Sequence, residues 1–254
     1  MIRFEQVTKR FGKKTVLDEA TFTIAQGEVF IIVGLSGAGK SVTLKHMVRL
    51  LTPDEGQVWV GDDCVSEATG RDLERIRAKF GYLFQSGALL QWISAGENVA
   101  LPLREHTKMT DDEIDGLVRE KLRLVELEDA YDRSPSDLSG GMKKRVSLAR
   151  AIVRQPEVVL YDEPTSGLDP LTSRTIDELI ANTNRELGIT SIVVTHDLHS
   201  ALSIGTRIAM LHQGKVVELA TPADFIHSSH PVVQQFLASQ YITRKGVWEE
   251  SVSS

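Results

Sequence analysis

The chain of 254 residues has a single cysteine, Cys64, and no CxxC pair. An internal disulfide is therefore impossible, and no thiolate zinc site is encoded. Cys64 reads as a small residue of a strand or turn rather than as a reactive thiol. No apolar run approaches the ~18 residues that a membrane-spanning helix needs, which excludes a chain built on such helices but not a membrane-attached one. The opening MIRFEQVTKRF lacks the apolar stretch of a secretory signal, and a cytosolic, reduced protein is expected. Positive charge is also short, with 29 Lys and Arg against 35 Asp and Glu, a net −6. A dedicated nucleic-acid binder carries a basic surplus, so no nucleic-acid partner is expected. No repeat, low-complexity block or Pro-rich linker divides the chain. What is there is 41% hydrophobic and 25% charged, an ordinary globular composition with length enough for a large core.

Strand and helix signals alternate. The first residues read as strand IRFEQV, turn FGKK, strand TVLDEATFTI and turn AQGE. VFIIV at 29–33 is a continuous β-branched and aromatic run, the pattern of a strand buried on both faces of a parallel sheet. A Gly-rich turn follows, then KSVTLKHMVRLL, in which Leu44, Met47, Val48 and Leu51 share one helical face. Thr110-Asp111-Asp112-Glu113 reads as a capping box, with acids at the positive end of a helix. Another helix is expected from near Ser139 through KKRVSLARAIV. VVLYD at 158–162 and ITSIVVT at 189–195 repeat the buried-strand pattern, and RIAML and VVELA flank a hairpin turn at 212–215. PADFIHSSHPVVQQFLASQ reads as helix broken at Pro231, and RKGVWEESVSS as a polar tail. This alternation predicts an α/β domain with a mainly parallel sheet. One domain over 1–240, interrupted by a helical subdomain near 96–155, and a tail over 241–254 are expected.

Gly34, Leu35, Ser36, Gly37, Ala38, Gly39, Lys40 and Ser41 match GxxxxGK[ST] between a strand and a helix, the context that motif requires. The glycines let backbone wrap around phosphates with N–H groups pointing inward, and the helix N-terminus adds its positive dipole. Lys40 is expected to reach the β- and γ-phosphates of a nucleotide, and Ser41 to ligate Mg2+. Asp162 and Glu163 end the strand VVLYD at the carboxyl edge of the sheet, where open α/β sheets bind ligands. Asp162 is expected to hold Mg2+ through water and Glu163 to polarise an attacking water. Without the phosphate loop, the same pair would read as solvated loop acids. Leu138-Ser139-Gly140-Gly141-Met142 precedes a helix. Ser139 is a good N-cap, and the glycines expose N–H groups in a second anion site; a flexible cap is the alternative reading. Two such sites far apart in one chain suggest that each completes the other in a dimer. His196 follows a third buried strand, and Gln85, in YLFQSG, follows a short apolar run. Either residue alone would read as structural.

Taken in order, the loop 34–41, Gln85, LSGGM, VVLYDE, SGLD at 166–169 and His196 resemble the ATPase subunits of ATP-binding cassette (ABC) transporters, over essentially the whole chain. The resemblance implies a P-loop NTPase core with an antiparallel β subdomain and an inserted helical subdomain. It implies ATP and Mg2+ as ligands, and hydrolysis coupled to transport through a separate integral-membrane permease. Phe11, in TKRFGKK, would stack on the adenine, a contact worth ~1–3 kcal/mol per base. The family works as a head-to-tail homodimer on ATP binding. Ser139, Gly140, Gly141 and Asp169 would then meet the partner's nucleotide, His196 would hold the γ-phosphate, and Gln85 would link Mg2+ to the transport subunit. Two positions depart from the family pattern. Met142 stands where glutamine is commoner, which leaves the glycine backbone donors intact. Val42 stands where a hydroxyl residue is frequent in the nucleotide loop, which removes one bond to the α-phosphate at about 0.5–1.5 kcal/mol at most.

LFQSGALL, ENVALPLREHT and DLSGGMKKRVSLARAI are further similar to the Mla-type lipid-transport ATPases, with PLREHT and the methionine-ended signature as the more specific parts. That resemblance implies a peripheral subunit on the cytoplasmic face of a bacterial inner membrane. It also implies a permease, an MCE-class lipid-binding protein and a small STAS-domain protein as partners, and movement of phospholipid or another lipid between inner and outer membranes. The alternatives are an ABC importer of amino acids or ions, and a soluble ABC ATPase of DNA repair or translation. The latter usually carries coiled coils or two cassettes, and this chain has neither. A P-loop phosphotransferase would leave LSGGM and SGLD unexplained, and a pure binding module is at odds with the intact Glu163 and His196. Residues 86–103, with Leu89, Leu90, Trp92 and Ile93, read either as core or as the groove for a short permease helix. The run Lys143-Lys144-Arg145 is expected to be exposed and is the second candidate for such a surface.

Overall fold

The computed structural model describes residues 1–240, and the tail expected over 241–254 lies outside the described residues. Strands β1 (Ile2–Phe11) and β2 (Lys14–Ile24) form a hairpin across Gly12 and Lys13. Gly12 supplies the positive φ, +59°, that a two-residue turn between twisted strands requires. β1 therefore runs past IRFEQV to Phe11, longer than the sequence pattern indicates. β3 (Val29–Val33), α1 (Lys40–Met47), β4 (Glu55–Val60), β5 (Asp63–Cys64), α2 (Gly70–Ala78) and β6 (Phe80–Leu83) follow. The first sheet is antiparallel, in the order β2-β1-β4-β5.

A helical stretch comes next: α3 (Ala95–His106), α4 (Asp111–Leu124) and α5 (Gly140–Ile152). The capping boxes Ser94/Glu97 and Thr110/Glu113 start α3 and α4, and the Ser139 hydroxyl caps α5 by accepting from Met142 N at 3.3 Å. The chain then completes the second sheet with β7 (Val158–Asp162), α6 (Pro170–Leu187), β8 (Thr190–Thr195), α7 (Leu198–Ile204), β9 (Arg207–His212) and β10 (Lys215–Ala220). Pro222 and Pro231 open the short helices α8 (Pro222–Phe225) and α9 (Pro231–Ser239). The second sheet has the order β10-β9-β3-β8-β7-β6 and is parallel apart from β10.

The buried-strand runs sit in the middle of this sheet and divide its two faces by alternation. Val29, Ile31 and Val33 of β3, with Val159 and Tyr161 of β7, pack in one core with α3, α4, α5 and α6. Phe30, Ile32, Val158 and Leu160 pack in the other, with α1 and the antiparallel sheet. Burial of each such side chain contributes about 1.5–3 kcal/mol, so register is fixed from both sides. Since β3, β8 and β7 are adjacent and parallel, their carboxyl ends emerge side by side, at Gly34, His196 and Glu163.

One helix ends early. The apolar face Leu44, Met47, Val48 and Leu51 suggests a longer helix than α1, which stops at Met47. Arg49 turns to φ +50°, and the N–H groups of Leu50 and Leu51 fold back onto Lys45 O at 2.8 and 3.2 Å. The Arg77 guanidinium closes the end by donating to Val48 O and Arg49 O at 2.9 and 3.0 Å.

Candidate functional site

The glycines of the loop between β3 and α1 are set by contact as well as by dihedral. A Cβ on Gly34 would lie 2.3 Å from Leu211 O, and one on Gly39, at φ +106°, would lie 2.8 Å from Val16 O. Leu35, Ser36 and Gly37 face solvent, and Ala38 N donates to Leu35 O at 3.1 Å. Gly39 is the N-cap of α1, with no side-chain cap and no acid in the first turn. The first N–H groups of that helix are thus left for an external acceptor. Val42, by contrast, packs against the core.

Lys40 is buried under this loop. Its Nζ donates to Gly34 O at 2.8 Å and pairs with Glu163 Oε1 at 3.3 Å. Ser41 Oγ donates to Asp162 Oδ1 at 2.7 Å. Tyr82 Oη lies 3.5 Å from Asp162 Oδ2, and burial beside that carboxylate pushes the phenol up. A hydroxyl and a carboxylate in contact form the hard oxygen set that suits Mg2+, which takes one or two carboxylates and completes its shell with water and substrate phosphates. Accordingly, the described residues hold no cluster of three or more His, Cys, Asp or Glu side chains able to cage a metal.

Glu163 has φ +48°, the left-handed region, unusual for a residue with a side chain. Such a conformation costs of order 1–3 kcal/mol and persists only where surroundings over-determine it. Here the N–H donates to Val194 O at 2.9 Å and the C=O accepts from Lys144 Nζ at 3.2 Å. The side chain is clamped between Lys40 and His196, whose Nδ1 lies 2.7 Å from Oε2. Facing a carboxylate oxygen, Nδ1 is the donor, which leaves Nε2 directed elsewhere. Gln85 is exposed and lines a hollow with Lys45, Phe84, Ser86, Asp162 and Ser166.

The structure therefore gathers the loop 34–41, Asp162, Glu163, His196 and Gln85 at one sheet edge. It does not bring the other expected residues there. Ser139, Gly140, Gly141 and Asp169 form a second group at the starts of α5 and α6, where a Cβ on Gly141 would lie 2.3 Å from Thr172 Cγ2. Asp169 caps α6 by accepting from Leu171 N and Thr172 N at 3.1 and 3.0 Å, and its bonds to Thr172 hold the carboxyl below its usual range. Phe11 is half exposed at the end of β1, with Lys9 Nζ 5.7 Å from the ring centroid.

The expectation for residues 86–103 divides. Leu89 is buried and Leu90 half-buried, whereas Trp92 is 79% exposed. Asn98 pins this loop, exchanging bonds with Leu90 N and O at 2.8 and 3.0 Å and donating to Ser94 O at 3.0 Å. The expectation of an exposed Lys143-Lys144-Arg145 run is corrected: Lys144 is buried because the carbonyls of Gln85 and Glu163 receive its ammonium. Sequence reasoning did not place Tyr82 or Lys144 beside the carboxyl-edge acids. The available signal for Tyr82 is its place on the strand before Gln85, and the basic run around Lys144 points instead to an exposed surface.

A family model described as ABC transporter matches residues 17–166. The probable ribonucleotide transport ATP-binding protein mkl of Mycobacterium tuberculosis is 39% identical over 249 residues, 98% of this chain and 69% of that protein. The methionine import ATP-binding protein MetN of Bradyrhizobium diazoefficiens is 41% identical over 245 residues, 94% of this chain and 70% of its own length. The intermembrane phospholipid transport system ATP-binding protein MlaF of Haemophilus influenzae is 36% identical over 240 residues, 94% and 91%. Among solved structures, the dimeric ATP-binding cassette MJ0796, in a post-hydrolysis state with ADP and Pi, superposes with a TM-score of 0.80. It is 35% identical and covers 87% of this chain and 99% of that one. With the nucleotide-loop geometry, the carboxyl-edge acids and the α/β architecture all in place, the chain belongs to the ABC transporter family, as an ATP-binding, ATP-hydrolysing cassette.

Proposed function

We propose that hydrolysis by this chain drives movement of phospholipid, or another lipid, between inner and outer membranes through a separate permease. The observation that carries the lipid reading is the likeness to MlaF, which spans 91% of that protein against 70% of MetN. In this reading residues 1–240 are one cassette, with a helical subdomain near 96–155, at the cytoplasmic face of a bacterial inner membrane. An MCE-class lipid-binding protein and a small STAS-domain protein complete the assembly. No helix among the described residues is long and apolar enough to cross a membrane; in this reading a permease supplies the passage. Trp92, exposed on a loop that Asn98 keeps rigid, is the docking anchor for it.

The site residues take the following roles. The free N–H groups at the start of α1 and the Lys40 ammonium bind the β- and γ-phosphates, and Phe11 stacks on the base. Ser41 Oγ, Asp162 and Gln85 hold Mg2+, which when bound draws charge from the phosphate oxygens. Glu163 polarises the attacking water, and His196, anchored through Nδ1, turns Nε2 to the γ-phosphate. Ser139, Gly140, Gly141 and Asp169 serve the nucleotide of a second copy in a head-to-tail dimer.

The test is purification of the transporter through a tag on this chain, followed by ATPase assays in lipid nanodiscs. Phospholipid should raise turnover, and mass spectrometry should find a permease with an MCE or STAS companion. A second reading, an importer of amino acids or ions, draws on the 41% identity to MetN. Stimulation by a free amino acid with its binding protein, and none by phospholipid, would replace the lipid reading with that one.

A further inference from the structure

Lys144, Ser147 and Arg150 stand at successive turns on one face of α5. All three approach backbone carbonyls of a single loop, residues 85–88, which follows β6, with Ser147 Oγ also 2.7 Å from Lys143 O of its own helix. Lys144 Nζ donates to Gln85 O. Ser147 Oγ lies 2.9 Å from Gly87 O, and Arg150 donates to Gly87 O and Ala88 O, each at 2.7 Å. The loop is shaped to receive them: Gly87 has φ +76°, and a Cβ there would lie 2.8 Å from Ser147 Oγ. Ala88 is also left-handed, at φ +47°.

Ser147 and Arg150 reach this loop and go no further toward the nucleotide site. Lys144 goes on to Glu163 O at 3.2 Å. It is 6% exposed, and burial draws its ammonium down while Asp162 and Glu163 resist. Burying an ammonium is unfavourable unless its donors are used, and here two carbonyls use them. The second is the carbonyl of the residue held at φ +48°. Val194 O holds its N–H, while its C=O accepts from Lys144 Nζ and from Ser166 N, each at 3.2 Å; of these, only the lysine comes from α5.

We propose that Lys144 is a positioning residue for hydrolysis: it ties Gln85 and Glu163 to α5, so that the placement of α5 sets whether Glu163 is held in its working conformation. The inference rests on Glu163 being the group that polarises water. α5 starts at Gly140 and Gly141, the proposed contact with a second copy's nucleotide, and Lys144 follows within about one turn of 3.6 residues. A contact made at one nucleotide site is thereby carried to the glutamate of the other.

The test compares Lys144→Met, which keeps the stem and removes both bonds, with Lys144→Arg, which restores a cation and donors. Turnover and KM for Mg2+-ATP are measured in the transporter complex isolated through a tag on this chain, with a melting curve for each variant. Lys144→Met should lower kcat about 10- to 100-fold, the scale of a misplaced catalytic group, with KM within about threefold. Lys144→Arg should return kcat to within about threefold of wild type. Ser147→Ala should stay within about twofold, because Arg150 still holds Gly87 O. If Lys144→Met does not fold, Lys144→Leu, which likewise removes both bonds, carries the same comparison. Glu163→Gln runs alongside. Loss of turnover in Glu163→Gln with wild-type kcat in Lys144→Met overturns the Lys144 proposal alone. Near-normal turnover in Glu163→Gln overturns the role of Glu163, and this proposal with it. A Lys144→Met defect that lies in KM and melting temperature, unrescued by arginine, shows a merely structural lysine and also overturns the proposal.

Discussion

Replacing Asp177 with asparagine should stabilise the protein at alkaline pH and leave it unchanged in acid. Asp177 lies on α6 and is 7% exposed. Its Oδ2 accepts from Ser200 Oγ on α7 at 2.7 Å, and its Oδ1 has no hydrogen-bond partner. Ser200 Oγ also lies 3.3 Å from Oδ2 of Asp197, the residue that caps α7. Burial pushes the Asp177 carboxyl from 3.8 up to about 6; the Ser200 bond resists, and the charges of Asp197 and Glu178 add to the rise. Below the unfolded value both states hold the proton, and the group does not affect stability. As pH rises from about 4 to about 6 the unfolded chain ionises first, so the folded state loses relative stability, and the whole penalty stands above that window.

Two pH units correspond to about 3 kcal/mol. Asparagine keeps an oxygen for Ser200 but places an amide donor where Oδ1 has no partner, so the net gain falls to about 1–2 kcal/mol. In a chain of this length that raises Tm by roughly 2–8 °C. Thermal melts of wild type and Asp177→Asn at about pH 8 and about pH 3.5, below the unfolded value, measure it, and the difference should be near zero at the lower pH. Ser200→Ala should move the other way, with a lower Tm at alkaline pH only, since it removes the one bond that supports the carboxylate. A Tm difference of the same size at both pH values, or a less stable Asp177→Asn variant in alkali, would refute the reasoning.

Four further outcomes follow from the site. Glu163→Gln should bind ATP and turn it over about 10²–10⁴-fold more slowly, and size-exclusion chromatography with Mg2+-ATP should show it as a dimer. Ser41→Ala should bind ATP in EDTA as wild type does but lose the gain in affinity that Mg2+ confers, read by nucleotide titration with and without the metal. Gly34→Ala places a Cβ 2.3 Å from the Leu211 carbonyl oxygen, and calorimetry should record about 1–3 kcal/mol of lost stability together with lost nucleotide binding. Trp92→Asp changes an exposed residue, so stability should stay within about 0.5 kcal/mol, while co-purification of the permease falls away.

The parts of this molecule that local patterns could reveal are those whose physics is local. VFIIV and VVLYD read as doubly buried strands because both faces of each strand are apolar, and both stand inside the parallel sheet, on either side of β8. The Thr110/Glu113 box was legible because a cap and its partner are three residues apart. The end of α1 was not, since the guanidinium that closes it comes from Arg77, 28 residues further on. Trp92 and Leu89 look alike in sequence, yet Leu89 is buried and Trp92 faces solvent on a loop whose backbone is bonded by Asn98, eight residues from Leu90. Lys144 sits in a basic run that reads as surface. Its burial depends on two carbonyls, one 59 and the other 19 residues away, and carbonyls belong to every residue type, so no side-chain pattern announces them. Phosphate-loop chemistry was visible for the opposite reason: it needs particular side chains and glycines within eight consecutive positions.

The same geometry bears on the order of events at the site. Lys40 and Glu163 form an ion pair whose side chains are 8% and 11% exposed. Removing one member of a buried pair leaves the other charge uncompensated. A nucleotide phosphate entering the loop offers Lys40 a replacement anion while Glu163 keeps its bond to His196. On the roles proposed for Lys40 and Glu163, phosphate binding and release of the Glu163 carboxylate toward water become one exchange rather than two independent steps. Until a phosphate is there to claim Lys40, the residue proposed to polarise water is occupied by that lysine, and its oxygen is directed away from any adventitious reaction. Lys144 bonds the backbone of the same glutamate through a carbonyl that the exchange does not touch. The side chain can therefore change partner without breaking that backbone bond, so that in the proposed mechanism one strained residue serves both as the lock on the loop and as the base once the loop is filled.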